Sequence, residues 1–144
     1  MDAASMSQLQ KQLILHEGCK LTAYRDSVGV ITIGIGRNLQ HRGITQEEAL
    51  MLLRNDISAT LTAMRKELPW TIALDDVRQR VLCDMAFNMG VGQLLEFKRT
   101  LAAVKAGDYE AAADMMLDSR WASQVGERAR RLARMMRTGK DEIR

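Results

Sequence analysis

The apolar pattern of this chain changes period once, and that change limits the fold more than any other feature. Ile31, Ile33 and Ile35 alternate with Val30, Thr32, Gly34 and Gly36. Period two with β-branched residues predicts a strand. Leu21–Arg25 is its predicted partner, and Asp26-Ser27-Val28-Gly29 between them suits a type I turn, with Asp first and Gly fourth. Elsewhere apolar residues recur every three or four positions. The chain of 144 residues has a single proline and only 4% aromatics, which favours helix over an all-β sandwich. One hairpin in an otherwise helical chain is the α+β, mainly helical class.

Helix ends are marked locally. Met6, Leu9, Leu13 and Glu17 share one stripe of a first helix over about Ser5–His16, ended by Gly18. Thr45 and Glu48 form a capping-box pattern. Leu50, Leu53, Ile57, Leu61, Met64 and Leu68 then follow at helical spacing up to Pro69. This predicts a long helix over Gln46–Glu67, of about 33 Å, long enough to link two lobes. Asp75 caps a predicted helix to Met89 that is apolar on more than one face and suits the centre of a bundle. Gly90 and Gly92 break it, and helices follow over Glu96–Ala106, Tyr109–Leu117, Arg120–Ser123 and Glu127–Arg137. The expected division is a hairpin lobe over 17–45, a linking helix over 46–68 and a helical lobe over 69–144, with the 1–16 helix packing on the last.

Charge is unevenly spread. Residues 1–119 carry a net −2, whereas residues 120–144 carry 8 basic and 3 acidic side chains, a net +5. A basic end suggests an anionic partner: nucleic acid, a wall polymer or a membrane surface. Cys19 and Cys83 are too few for a disulfide framework, and both read as buried thiols. No apolar run reaches membrane-spanning length. The first residues lack the basic start and apolar stretch of a secretion signal, so the expectation is a protein that stays in the cytoplasm where it is made until something releases it. His16 and His41 lack zinc spacing. Neither a P-loop nor a complete dinucleotide loop occurs. No metal or cofactor is expected.

Glu17 prolongs an apolar stripe, where loss of water favours the protonated form that a general acid needs. A solvated glutamate at a helix end is the plainer reading. Asp26 opens the hairpin turn, where its carboxylate stays solvated and ionised; aspartate also favours that place for its own backbone bonds. One protonated and one ionised carboxyl group are the pairing that glycosidic cleavage uses. Thr32 shares a face with Val30, Gly34 and Gly36, with the isoleucines packing on the other side. That face leaves room for a ligand and a hydroxyl to hold water, although threonine is also an ordinary strand residue.

From Glu17 to Gly36 the chain reads E-G-x-x-L-x-A-Y-x-D-x-x-G-x-x-T-x-G-x-G. This resembles the catalytic signature of the T-even phage lysozyme family, the phage-type muramidases. Phe87-Asn88-Met89-Gly90, Ser119-Arg120-Trp121 and Arg128–Gly139 resemble that family's later helices. The resemblance implies a lysozyme-like fold and an endolysin that cleaves the β-1,4 bond between N-acetylmuramic acid and N-acetylglucosamine, with inversion, to lyse a host. It implies Glu17 as the general acid, Asp26 as the carboxylate that activates water or stabilises the cationic sugar, and Thr32 as an aid in placing that water. Tyr24, Gly36 and Asn88 become substrate contacts. Arg128 is expected to neighbour Glu17 across the cleft, and Arg37, where relatives often have histidine, to pair with Asp56. The implied partner is peptidoglycan, acted on by a monomer that neither binds nucleic acid nor inserts stably in a membrane, and that depends on a separate membrane-permeabilising protein.

The chain departs from that family in its short Arg37–Ile44 connection, which puts a third strand in doubt. Two other function classes compete: a basic helical module binding nucleic acid through Arg128, Arg130, Arg131, Arg134 and Arg137, and a wall-binding protein without catalysis. The first leaves the Glu17–Gly36 signature unexplained. The second calls for a lost catalytic residue, yet Glu17, Asp26 and Thr32 are all present.

Overall fold

A computed structural model describes residues 1–143; Arg144, counted above in the basic end, lies outside them. The chain divides into two compact units, Met1–Met51 and Leu52–Arg144. The boundary falls inside the long helix rather than at either of its ends.

The first unit opens with α1, Ala3–Glu17, whose N-cap Asp2 accepts from the Ser5 N–H at 2.8 Å. Gly18, at φ 74°, ends the helix and turns the chain into β1, Lys20–Arg25. The strands β2, Ile31–Gly34, and β3, Arg37–Asn38, complete an antiparallel sheet of order β1-β2-β3. Tyr24 faces Thr32 across β1 and β2, and Thr32 faces Asn38 across β2 and β3. The third strand therefore exists. A turn over Gly34–Gly36, with φ of 66° and 68° at its two glycines, reverses the chain soon enough for two residues to pair back. The burial within the sheet differs from the expected sidedness. Thr32, in the central strand, is buried, whereas Ile31 and Ile35 are exposed.

The helix α2, Gln46–Glu67, begins at the predicted capping box. The Glu48 N–H donates to Thr45 Oγ1 at 3.1 Å, and the Thr45 N–H donates to Glu48 Oε1 at 2.9 Å. Pro69 ends the helix by opening a 3-10 turn over Pro69–Ala73.

The second unit holds the core. After Asp75, which caps it by accepting from the Arg78 N–H, comes α3, Asp76–Met89. Then follow α4 (Val91–Leu95), α5 (Lys98–Lys105), α6 (Tyr109–Leu117), α7 (Arg120–Val125) and α8 (Glu127–Thr138). The expected helix over Glu96–Ala106 is α5, and a further short helix, α4, precedes it. Gly92 sits inside α4 instead of breaking the chain, and the break comes at Glu96-Phe97. Val81, Leu82 and Met85 of α3 pack with Met64, Leu94, Met116 and Met136 as fully buried side chains. The four methionines among them are unbranched and flexible, a shape that fills irregular space between helices.

Arg78 ties both ends of this unit together. Its Nε and Nη2 donate to the carbonyls of Met136 and Arg137 at 2.7 and 3.1 Å, satisfying the last turn of α8. Its guanidinium pairs with Asp75 and lies 3.6 Å from the Tyr109 ring centre. Burial pushes the Asp75 carboxyl up, but the Arg78 N–H and guanidinium outweigh it and hold that group below its ordinary range.

Candidate active site

The three residues predicted as catalytic lie in the first unit, on the end of α1 and on the hairpin. Glu17 is the last residue of α1. The hairpin returns so that Gly36 lies against it: a Cβ on Gly36 would stand 2.7 Å from Glu17 Oε2. Only glycine leaves that space, and the positive φ demands glycine independently. The expected apolar setting of Glu17 is not found. α1 has no buried residue, and Glu17, at its very end, is exposed.

Asp26 is fixed by its own turn. Its Oδ1 accepts from the N–H groups of Val28 and Val30 at 2.9 and 2.8 Å. The Asp26 N–H donates to the Val30 carbonyl, and the Gly29 N–H to the Asp26 carbonyl. Two backbone donors on one oxygen leave Oδ2 for other partners. Thr32 shares the same anchor: its hydroxyl donates to the Val30 carbonyl at 2.9 Å. The Val30 peptide thus holds both side chains, and the Thr32 hydroxyl retains acceptor capacity. Tyr24, opposite Thr32, carries the Lys20 ammonium 4.4 Å from its ring centre.

Arg37 does not take the expected partner. Its guanidinium binds Glu48, with Nη1–Oε1 at 2.9 Å and Nη2–Oε2 at 2.8 Å, and also donates to the Gly43 carbonyl. Asp56 lies two turns, about 12 Å, further along α2, and the short connection from β3 delivers Arg37 to the first turn of that helix. The Arg37 guanidinium, with help from the Thr45 N–H, pulls the Glu48 carboxyl down to about 2. Sequence reasoning had used Glu48 only as a capping residue.

The remaining predicted residues belong to the second unit. Asn88, near the end of α3, accepts at Oδ1 from the Trp121 indole N–H at 2.8 Å. Arg128 is held by Asp84, with Nε and Nη2 at 2.7 and 2.6 Å from Oδ1. Asp84 itself was not foreseen, since a lone aspartate in a helix carries no signal of a partner 44 positions away.

Cys19 is exposed, contrary to expectation, because it follows the helix stop into an edge strand. Cys83 is half-buried, and burial followed by the Asp84 charge pushes its thiol up, as suits an inert thiol. The basic end is less basic in effect than in sequence. Arg130 and Arg134 pair with Glu127, Arg134 also with Glu142, and Arg137 with Glu110 and Asp114. Among the described residues no group of three His, Cys, Asp or Glu is placed to hold a metal ion. None of the described helices is long and apolar enough to cross a membrane.

A helical bundle and a small three-stranded hairpin unit, with a glutamate at a helix end set on a glycine turn and an aspartate locked in the hairpin, define the lysozyme-like class. The chain belongs to the phage lysozyme family, whose model matches residues 15–138, and so to the lysozyme-type glycoside hydrolases at the level of the family. It is 31% identical to the pre-baseplate central spike protein Gp5 of Enterobacteria phage T4 over 96% of this chain, but spans only 29% of that protein. It is 26% identical to probable T4-type lysozyme 1 of Dictyostelium discoideum, covering 93% of this chain and 96% of the relative. It is 30% identical to the endolysin of Salmonella phage P22, covering 70% of this chain and 73% of the relative.

Proposed function

We propose that the protein is an endolysin-type muramidase that hydrolyses the β-1,4 bond between N-acetylmuramic acid and N-acetylglucosamine in bacterial peptidoglycan. The observation that carries this reading is the placement of Glu17 against the Gly36 backbone, on the same unit as a turn-locked Asp26. In this reading Glu17 gives its proton to the glycosidic oxygen as the bond to the anomeric carbon breaks. Charge builds on the sugar ring, and the Asp26 carboxylate faces it through the free Oδ2. A water donates one hydrogen to Asp26 and another to the Thr32 hydroxyl, whose own proton is committed to Val30. Attack by that water from the face opposite the leaving group inverts the anomeric centre.

Tyr24, Gly36 and Asn88 contact the substrate in this proposal, Asn88 with Trp121 as its fixed neighbour, and Arg128 has a supporting role. The proposed setting is lysis of a host by a monomer that reaches the wall when a separate protein opens the membrane. Digestion of purified peptidoglycan tests the reading. It predicts fragments with reducing N-acetylmuramic acid ends that carry the α-anomer when first formed. Reducing N-acetylglucosamine ends, or cleaved peptide bonds, would overturn it.

A further inference from the structure

Gly36 lies so close to the Glu17 carboxylate that the two constrain each other, yet the backbone around Gly36 has little of its own to hold it. Gly34 and Gly36 both sit at positive φ, 66° and 68°, and glycine has the most conformational freedom to lose. The strand that follows, β3, is only Arg37–Asn38. It makes two pairings with β2, Ile33 with Arg37 and Thr32 with Asn38. Strands usually run to about five or six residues, so this one is a weak anchor for a turn of two glycines.

Arg37, the residue after Gly36, supplies what the strand lacks. Its Nη1 and Nη2 grip Glu48 Oε1 and Oε2 at 2.9 and 2.8 Å, and Nη1 also donates to the Gly43 carbonyl at 3.2 Å. A two-pronged contact of this kind fixes direction as well as distance. Glu48 is itself held, because it sits in the first turn of α2 and its Oε1 accepts from the Thr45 N–H. The connection is pinned on its other side, where the Leu39 N–H donates to the Ile31 carbonyl at 2.9 Å. Among the described residues of the first unit no other ion pair occurs. With 24% and 38% of the two side chains exposed, the pair adds only modest stability. Its geometric effect falls on a turn one residue away, against the proposed acid.

We propose that Arg37 and Glu48 are positioning residues for the reaction: their pair holds the Gly36 turn against Glu17 and so confines the carboxylate to the direction from which it gives its proton. This rests on the proposed acid role of Glu17. Neither residue touches the substrate or the reacting atoms. A proton donor has to be held to within about 0.5 Å of its productive place, and a two-glycine turn without its clamp drifts further than that.

Arg37→Gln, Glu48→Gln and the double variant test the proposal. Glutamine at position 48 keeps an acceptor for the Thr45 N–H, so the start of α2 is preserved. Measured on peptidoglycan well below the melting point, each single variant should lose about tenfold or more in kcat, the scale of a small misplacement, with KM little changed. The double variant should be no slower than the slower single one, because two residues acting through one contact are not additive. Arg78→Met, which loosens the other unit, is the control and should keep its kcat. Scalar couplings of the Glu17 β-protons should report one side-chain rotamer in the wild type and averaging in Arg37→Gln. Unchanged kcat in both single variants, losses that multiply in the double variant, an equal loss in Arg78→Met, or couplings that do not change would each overturn the proposal. All of these leave the hydrolysis reading standing. A wild type that releases no reducing ends overturns that reading alone, since the couplings are measured without catalysis.

Discussion

Glu17 and Gly36 are matched to each other: the carboxylate of one occupies the space that any side chain on the other would need, with Oε2 only 2.7 Å from a built Cβ. Gly36→Ala therefore acts twice. The positive φ costs about 1–2 kcal/mol for a non-glycine residue, and the methyl group displaces the carboxylate. Melting should fall by several degrees, and turnover should fall by more than the loss of folded protein explains. A variant with normal turnover would show that Glu17 does not depend on this contact.

Asp26 has two separable parts. Asp26→Asn keeps an acceptor for Val28 and Val30 but removes the charge; Asp26→Ala removes both. Each lost bond to a backbone N–H is worth about 1 kcal/mol. The alanine variant should lose about 2 kcal/mol of stability, and the asparagine variant much less. Both should lose most of the activity. Thermal melts beside hydrolysis rates will separate the two effects.

Glu48 makes the hairpin unit sensitive to acid. Its carboxyl is pulled down to about 2 by Arg37, below the ordinary value of about 4.5, so the folded form binds the proton less readily than the unfolded chain. The stabilisation is complete above the unfolded value and fades as pH falls from about 4.5 towards 2. NMR titration of the Glu48 carboxyl should give a midpoint near 2, and Arg37→Gln should move it up towards the ordinary value. A midpoint unchanged by that substitution would contradict the pairing.

Arg78 closes the helical unit by binding the last carbonyls of α8 while stacking on Tyr109. Hydrogen bonds from a charged donor are worth about 1.5–3 kcal/mol. Arg78→Met should cost at least about 2 kcal/mol and lower the melting point by roughly 5–10 °C. Hydrogen exchange of the α8 amides should quicken. If melting does not change, the capping role is wrong.

What could be read beforehand was what is written locally. The Thr45–Glu48 box and Pro69 fixed both ends of α2, and Asp75 and Gly90 those of α3, because caps and breakers act within one turn. The site on α1 and the hairpin was legible for a similar reason: Glu17, Asp26 and Thr32 fall within 16 consecutive residues. Partners far along the chain were not legible. Arg137 meets Asp114 and Arg128 meets Asp84, 23 and 44 positions apart, so part of a segment that looks basic in sequence is paired with acids from earlier helices. The burial of Thr32 and the exposure of Ile31 were misread because alternation gives two faces without saying which is covered.

The central claim is that Glu17 supplies the proton for glycosidic cleavage. Its most direct test compares hydrolysis of purified peptidoglycan by the wild type and by Glu17→Gln, with melting curves to show that both are folded. The glutamine keeps the shape and the contact with Gly36 but has no acidic proton to give. The account predicts steady release of reducing ends by the wild type and a loss of at least about a hundredfold in the variant, the scale of general acid catalysis. Release by a folded Glu17→Gln protein at near wild-type rate would contradict it.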